Sequence, residues 1–166
     1  MSNLPAFVLK DMTVIAGGDN RIGQVGEITV PMPKKTTEEM RNGGMIKPRE
    51  VVMGYEATSC EFKECGFDPA MISLFAIGGD DLLQARGYLQ SEDGSEHSVL
   101  IEMTARQLGI DLGTWQSGQK TDGTYSFTVD EFRVLINGEE KIAMDDFTAR
   151  VDGVEQFPGR RDALGF

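Results

Sequence analysis

The amino-acid sequence predicts a mainly β protein, an antiparallel β-barrel or sandwich with one short α-helix. Apolar and polar residues alternate with a period of two over several segments, which is typical of strands with one buried face. Clusters of Gly, Asn, Asp and Ser interrupt the chain about every 8–15 residues, as turns do in all-β domains. The 166 residues are enough for a single domain, 1–166, with its own apolar core.

The first third of the chain contains three candidate strands. Residues 6–16 and 22–30 are rich in β-prone side chains, and the cluster Gly-Gly-Asp-Asn at 17–20 separates them as a turn. Residues 50–63 form a longer β-prone segment, which we expect to be one continuous strand. These segments predict a sheet that is interrupted once, between 30 and 50.

The interruption, residues 31–48, predicts an arm. It has proline at both ends and is too polar for a core, and irregular segments of this length are usually functional or disordered. The apolar Met40, Met45 and Ile46 lie among charged residues, as in an arm that docks on a partner. A floppy surface loop is the alternative. Within the arm, residues 36–41 are compatible with one helical turn.

The helix signal follows at residue 68. Asp68 is a capping residue, and Pro69 suits the first turn of a helix. The apolar residues 70–77 form the helix body, and the glycines at 78–79 end it. Because this helix is short and nearly all apolar, we expect it to pack on the sheet.

A clear hairpin lies in the middle of the chain. Residues 83–90 and 99–106 alternate in polarity, and a cluster of Ser, Glu, Asp and Gly at 91–95 separates them. Two alternating segments around such a cluster predict two antiparallel strands.

A second hairpin follows. Residues 125–136 alternate too, but the phase slips by one residue at Asp130-Glu131, which predicts a β-bulge. Asn137-Gly138 is a strong signal for a two-residue hairpin turn. Residues 141–151 are then expected to be the return strand.

The charge distribution excludes several classes of partner. The formal net charge is −11, and residues 51–166 carry nine basic against 21 acidic side chains. Such a surface repels nucleic-acid phosphate and anionic membranes, so the monomer is not expected to bind either. We find no apolar run near the ~20 residues of a membrane span. The first residues lack an export signal, which predicts synthesis in the cytoplasm.

Residues that could perform chemistry are sparse, which predicts a protein that is not an enzyme and that needs no cofactor or metal. His97, the single histidine, lies beside an acidic turn and is expected at the surface. Cys60 and Cys65 are expected to be reduced thiols, and no role is assigned to them. Paired carboxylates lie mostly in turns and strand ends. A carboxylate-dependent hydrolase and a monomeric β-barrel that binds a ligand or calcium remain alternatives.

Several segments resemble a known family, the major tail tube proteins of contractile-tailed phages and of R-type phage-tail-like bacteriocins. The most specific is Glu-Glu-Met-Arg-Asn-Gly-Gly-Met at 38–45. The others are Val-Gly-Glu-Ile-Thr-Val-Pro at 25–31, Val-Val-Met-Gly at 51–54, and the C-terminal stretches 151–157 and 160–166. The resemblance covers nearly the whole chain and is loosest over 64–125. A type VI secretion tube protein, which shares the architecture, is the alternative.

The resemblance implies a structural role. In that family six copies form a ring, and stacked rings form the inner tube of the tail, a channel for DNA passage or membrane puncture. The implied partners are further copies of the chain, the tail sheath, and baseplate, initiator and terminator proteins, with DNA only as passing cargo. The implied location is the virion tail, after synthesis in the bacterial host cytoplasm. Residues 154–166 would be a C-terminal tail.

The resemblance also suggests site residues. The arm that reaches a neighbouring subunit would present a run of seven residues, namely Met40, Arg41, Asn42, Gly43, Gly44, Met45 and Ile46. A tube that passes DNA needs walls that do not trap phosphate, and acidic walls meet that need. From strand parity, the acids expected to face the channel are Glu27, Glu56 and Glu102.

Overall fold

Twelve strands and two short helices make up the part of the chain that the computed structural model describes, residues 6–66 and 68–166. The strands in order are β1 Phe7–Ala16, β2 Asp19–Asn20, β3 Val25–Thr29, β4 Lys35–Met40, β5 Arg49–Tyr55, β6 Thr58–Cys65, β7 Asp81–Ser91, β8 Glu96–Asp111, β9 Asp122–Ile136, β10 Glu139–Met144, β11 Ala149–Val151 and β12 Val154–Glu155. The helices are α1 Pro69–Ser73 and α2 Pro158–Leu164. The predicted mainly β, antiparallel fold is confirmed.

Ten of the strands form one antiparallel sheet, and β9 is its centre. One edge of β9 pairs with β8, which continues to β7, β1 and β2. The other edge is shared, because β6 pairs with residues 122–129 and β10 pairs with 132–136. The sheet curls over its own apolar face as a sandwich and does not close into a barrel over the described residues. Strands β4 and β5 form a separate two-stranded sheet.

The core lies inside the curl. Phe62, Tyr125 and Phe127 from β6 and β9 pack together, with the rings of Phe62 and Phe127 stacked at a centroid distance of 5.7 Å. The alternating residues of β7 and β8 complete it, including Leu83 and Met103. Alternate residues are buried in part of each strand, Leu83 and Ala85 in β7 and residues 101, 103 and 105 in β8, so the period-two pattern identified the core face correctly.

The predicted bulge is present at the residue where the phase slips. Thr104 pairs with Glu131 and the next residue, Ala105, pairs with Val129, so Asp130 is the extra residue on β9. The following turn is also as predicted. Asn137 and Gly138 both have positive φ, 52° and 82°, as a type I′ hairpin turn requires.

The structure corrects two predicted strands. Residues 50–63 are not one strand, because the chain leaves the arm after Tyr55 and enters the main sheet at Thr58. Residues 141–151 are likewise divided into β10 and β11 by a tight turn, in which the carboxylate of Asp145 accepts hydrogen bonds from the backbone amides of Phe147 and Thr148. In both cases the change of direction takes only two to four residues, 56–57 and 145–148, between two β-prone segments.

The helices differ from the prediction in length and number. The side chain of Asp68 caps α1 through the backbone N–H of Ala70, and Pro69 occupies the first turn, as predicted. However, α1 ends at Ser73, and the chain to Ile77 is turn. The second helix, α2, was not predicted. It ends at Leu164, and the next residue, Gly165, has the left-handed conformation (φ 74°) that commonly stops a helix.

A buried ion cluster connects the β1–β3 segment to β6 and α1. Arg21 and Glu64 are both almost completely buried and lie 2.8 Å apart, and Arg21 also pairs with Asp68. The hydrogen bond from Arg21, followed by that from the Ala70 amide, lowers the pKa of Asp68. The cluster therefore fixes the start of α1 against the sheet.

Candidate self-assembly surfaces

The arm is a β-hairpin rather than a segment with a helical turn. Strand β4, which lies where one helical turn was predicted, pairs with β5 from Lys35↔Tyr55 to Met40↔Arg49. The predicted arm, 31–48, thus contains only the first strand and the tip, and the second strand extends the arm to Tyr55. At its base the backbone N–H of Glu56 donates to the carbonyl of Lys34 at 2.8 Å. Threonines and glutamates in β4 present polar side chains on both faces, as a strand that leaves the core does.

The arm tip, residues 40–49, brings together the seven arm residues that the resemblance suggested. Gly44 has a φ of 86°, and the backbone N–H of Met45 donates to the carbonyl of Asn42 at 3.1 Å, which closes a tight turn. The guanidinium of Arg41 donates to the carbonyl of Met45 at 3.2 Å. Ile46 is 97% exposed, so the tip presents an apolar residue to solvent.

The three acids expected in the channel are not brought together. Glu27 on β3 and Glu102 on β8 lie on the sheet face opposite the core, whereas Glu56 lies between β5 and β6 at the arm base. Each also has a basic neighbour: Glu27 is 3.8 Å from Lys63, Glu56 is 3.4 Å from Lys34, and Glu102 pairs with Arg133. Strand parity alone did not reveal these ion pairs, which reduce the negative charge that each acid presents.

The residues considered for chemistry have structural surroundings. Burial raises the pKa of Cys60 to about 12, so it is a protonated thiol that packs as a small apolar residue. Cys65 is free and exposed. His97 is half-buried rather than exposed, and its ring meets Phe7 edge-on at 4.7 Å. Among the described residues, no group of three or more His, Cys, Asp or Glu is placed to hold a metal ion.

The C-terminal tail folds back onto the β10–β11 turn. The guanidinium of Arg160 donates to the carbonyl of Phe147 at 2.8 Å and lies 5.7 Å from the ring centre of Phe166. The rings of Phe147 and Phe166 meet at 5.7 Å, and Phe157 lies against Tyr55 of the arm base at 6.1 Å. The predicted tail, 154–166, therefore contains β12 and α2. Proline at the helix start and glycine at its end were the sequence signals for α2.

A cavity of about 440 Å³ lies between the arm base, the bulge of β9 and this C-terminal tail. Its walls include Met53 and Tyr55 from β5, Asp130 from the bulge, and Phe147 and Phe157. Sequence reasoning missed it because its walls come from four separate parts of the chain.

The sequence comparison decides the family. Residues 6–165 match the family model for phage tail tube protein FII, which is nearly the whole chain.

The chain belongs to the phage tail tube protein FII family.

Individual tail tube proteins are similar to the chain along almost their full length. It is 28% identical over 165 residues to the tail tube protein of Escherichia phage P2, a match that covers 95% of this chain and 96% of the relative. It is 24% identical over 156 residues to the major tail tube protein of Serratia phage KSP20, covering 92% and 91% of the two chains. The predicted family is confirmed, and the protein is a structural tail tube protein of a contractile-tailed phage.

The fold of this tail tube protein is also found in contractile injection systems. A chain of the sheath/tube terminator of an extracellular contractile injection system, PVC, matches with a TM-score of 0.58 and 12% identity, covering 82% of this chain and 99% of that one. A chain of the tube-terminating cap of the anti-feeding prophage matches with a TM-score of 0.56 and 16% identity, covering 75% and 86%. At these identities the likeness concerns the fold.

A membrane-spanning helix is not found in this tail tube protein: within 6–66 and 68–166, neither helix has the length and apolarity that crossing a bilayer requires.

Proposed function

We propose that the protein assembles into six-membered rings, and that these rings stack into the inner tube of a contractile tail. Membership in the tail tube family supports the tube, and the resemblance of the arm and C-terminal motifs supports the ring of six. The role is structural, with no catalytic step.

The separate arm hairpin is the observation that carries this proposal. An isolated two-stranded hairpin is marginally stable in water, and β4 and β5 pair in a sheet of their own. Their burial is slight, and Val51, Val52 and Met53 are exposed on β5. A hairpin of this length with apolar side chains in solvent gains stability when a neighbouring subunit covers it.

The body also presents surface that assembly would cover. Large apolar side chains remain exposed in several places away from the arm, such as Phe7, Leu9, Ile22, Phe75, Ile77 and Leu108. The strands β2, β3 and β12 end the hydrogen-bonded paths of the sheet, so they have free edges. Ring closure pairs or covers such edges, which otherwise invite uncontrolled association.

We extend the proposal to partners and location. Structural neighbours come from a sheath–tube complex, a baseplate and tube terminators, which supports a sheath, baseplate proteins and terminators as partners of this chain. The tube would lie in the virion tail after synthesis in the host cytoplasm. DNA would pass through the channel as cargo without specific binding.

The channel wall follows from the acidic composition. Glu27 and Glu102, on the sheet face away from the core, are proposed to face the channel. Glu56 was the third acid that the sequence predicted to face the channel. It lines the cavity at the arm base instead, so the geometry supports a channel position only for Glu27 and Glu102. Cryo-EM of the tube checks this directly: side chains of Glu27 and Glu102 that point between subunits or outward would contradict it.

Removing the arm tests the proposed function. Because Lys34 and Glu56 are already hydrogen-bonded, residues 35–55 can be replaced by a two-residue Asn-Gly turn without disturbing the core. We expect a folded protein with native circular dichroism that no longer forms long tubes in negative-stain electron microscopy. The intact protein at the same high concentration is the control. Tubes of normal length from the shortened protein would show that assembly does not need the arm.

A further inference from the structure

The cavity at the arm base is lined by apolar and by acidic side chains, and we call the acidic ones its acidic rim. Met53, Tyr55, Phe147 and Phe157 contribute apolar or aromatic surface to its walls. These side chains come from the arm, the β10–β11 turn and the C-terminal tail, and contacts such as Tyr55 with Phe157 hold them together. The cavity is therefore present in the single subunit, and its volume of about 440 Å³ is enough for several side chains.

The cavity wall is acidic on balance. Four acidic side chains line it, against the single basic residue Arg160. The acids are Glu56, Asp130, Asp145 and Asp146. Glu56 is 3.4 Å from Lys34 and Asp130 is 2.8 Å from Arg106, so the negative charge comes mainly from the other two acids that line it. Arg160 keeps its positive charge while it donates to the Phe147 carbonyl, so it offsets one of these carboxylates and leaves the wall acidic on balance.

Asp145 is firmly ionised within this rim. Partial burial acts to raise its pKa, but hydrogen bonds from the backbone amides of Phe147 and Thr148 outweigh burial and lower the pKa overall. The rim therefore keeps its negative charge at neutral pH.

The arm tip has the complementary character. Residues 41–49 contain Arg41, Lys47 and Arg49 and no acidic residue, in a chain whose net charge is −11. Ile46 lies between these charges and is 97% exposed. An apolar residue flanked by basic residues matches a cavity that is lined by aromatic side chains and by an acidic rim.

The tip cannot occupy the cavity of its own subunit. Met53 and Tyr55 at the cavity belong to the base of the arm, whereas Ile46 lies at the other end of the hairpin. Strand β4 has six residues, so the two ends are separated by roughly 20 Å at about 3.3 Å per residue. The occupant must come from another molecule.

We propose that the cavity at the arm base receives the arm tip of a second copy of this chain. Ile46 enters between Phe147 and Phe157, and Arg41 and Lys47 face the acidic rim. This inference rests on the proposed assembly function and names the surface on which the arm docks. Because tip and cavity lie at opposite ends of one hairpin, the contact is head-to-tail and repeats from copy to copy.

A disulfide cross-link tests this docking. The double variant Ile46→Cys with Asp146→Cys is prepared in a Cys65→Ser background, which removes the exposed native thiol. Tubes are then oxidised and separated by denaturing electrophoresis. A disulfide requires Cα atoms within about 7 Å, so the roughly 20 Å hairpin excludes a bond within one chain. We expect a ladder of covalent oligomers.

The control pairs Ile46→Cys with Ser117→Cys, because Ser117 is also exposed and does not line the cavity. This control is expected to stay monomeric on the gel. Tubes in which the Asp146 pair gives no ladder would overturn the docking site, while tube formation itself would leave the proposed function standing. If neither the intact protein nor the Cys65→Ser parent forms tubes, the proposed function and this docking site fail together.

A charge exchange gives an independent measurement. One variant reverses the charge of the tip with Arg41→Glu and Lys47→Glu, and a second reverses the charge of the rim with Glu56→Lys and Asp146→Lys. Each places like charges together and should reduce tube yield about tenfold or more. The chain that carries all four changes should recover most of the yield. Equal loss in the combined variant, with a folded monomer, would contradict the docking of tip on rim.

Discussion

Strand β8 in the body and strand β4 in the arm are both antiparallel strands with a neighbour, but their side chains have different surroundings. In β8, Ile101, Met103 and Ala105 are buried on one face. In β4, only Thr36 is even partly buried. The same backbone pairing therefore contributes to folding in one region and leaves surface for assembly in the other. Stability of the monomer should depend on the body and stability of the tube on the arm.

The largest contrast is expected from truncating one apolar residue in each region. Phe62 is 1% exposed and contacts Tyr125 and Phe127, so Phe62→Ala should lower the free energy of unfolding by about 3–5 kcal/mol. Val52 on β5 is 48% exposed, so Val52→Ala should change it by less than about 0.5 kcal/mol. Urea unfolding of the monomer measures both, and a large loss from Val52→Ala would mean that the arm is part of the folding unit.

A second contrast concerns charge. Asp68→Asn keeps a capping side chain but removes a charged partner of Arg21, which should cost about 1–2 kcal/mol at pH 7. Because the pKa of Asp68 is lowered in the folded protein, its contribution is complete above about pH 4 and is lost as the pH falls through the folded value. The variant should therefore lose less stability than the parent on acidification below pH 4.

The matched charge change in the arm is Glu39→Gln. Glu39 lies opposite Glu50 in the hairpin, so this change removes a repulsion and no ion pair. We expect no loss of monomer stability in urea unfolding at pH 7. Identical profiles for the parent and Asp68→Asn would show that Asp68 does not couple folding to pH.

The smallest contrast compares two turn glycines. Gly138 and Gly44 both have positive φ, 82° and 86°, which disfavours any side chain. Gly138→Ala strains the β9–β10 turn of the body and should cost about 1 kcal/mol of global stability. Gly44→Ala should leave global unfolding unchanged and only speed amide exchange in the arm. Equal losses in urea unfolding would contradict the separation of the two regions.

The sequence predicted the parts of the fold that depend on neighbouring residues. Alternation over 83–90 and 99–106 identified β7 and β8, and the phase slip located the bulge at Asp130. These succeed because a strand with one buried face must place an apolar residue at every second position.

The failures depend on residues distant in the chain. The arm strand β4 contains Thr-Thr-Glu-Glu, which has no apolar alternation, and only pairing with β5 makes it a strand. The Arg21–Glu64 pair joins residues 43 apart, and polar residues of this kind are ordinarily exposed. The cavity at the arm base likewise needs the C-terminal tail to fold back, which local patterns do not encode.

Hydrogen–deuterium exchange of the unmodified protein, before and after tube formation, tests the central claim most directly. Amides of β8 and β9 should be protected in the monomer and in the tube, because their bonds lie in the core of the sheet. Amides of β4 and β5 should exchange rapidly in the monomer and become protected in the tube. An arm protected to the same degree in the monomer, or still exposed in the tube, would contradict the account.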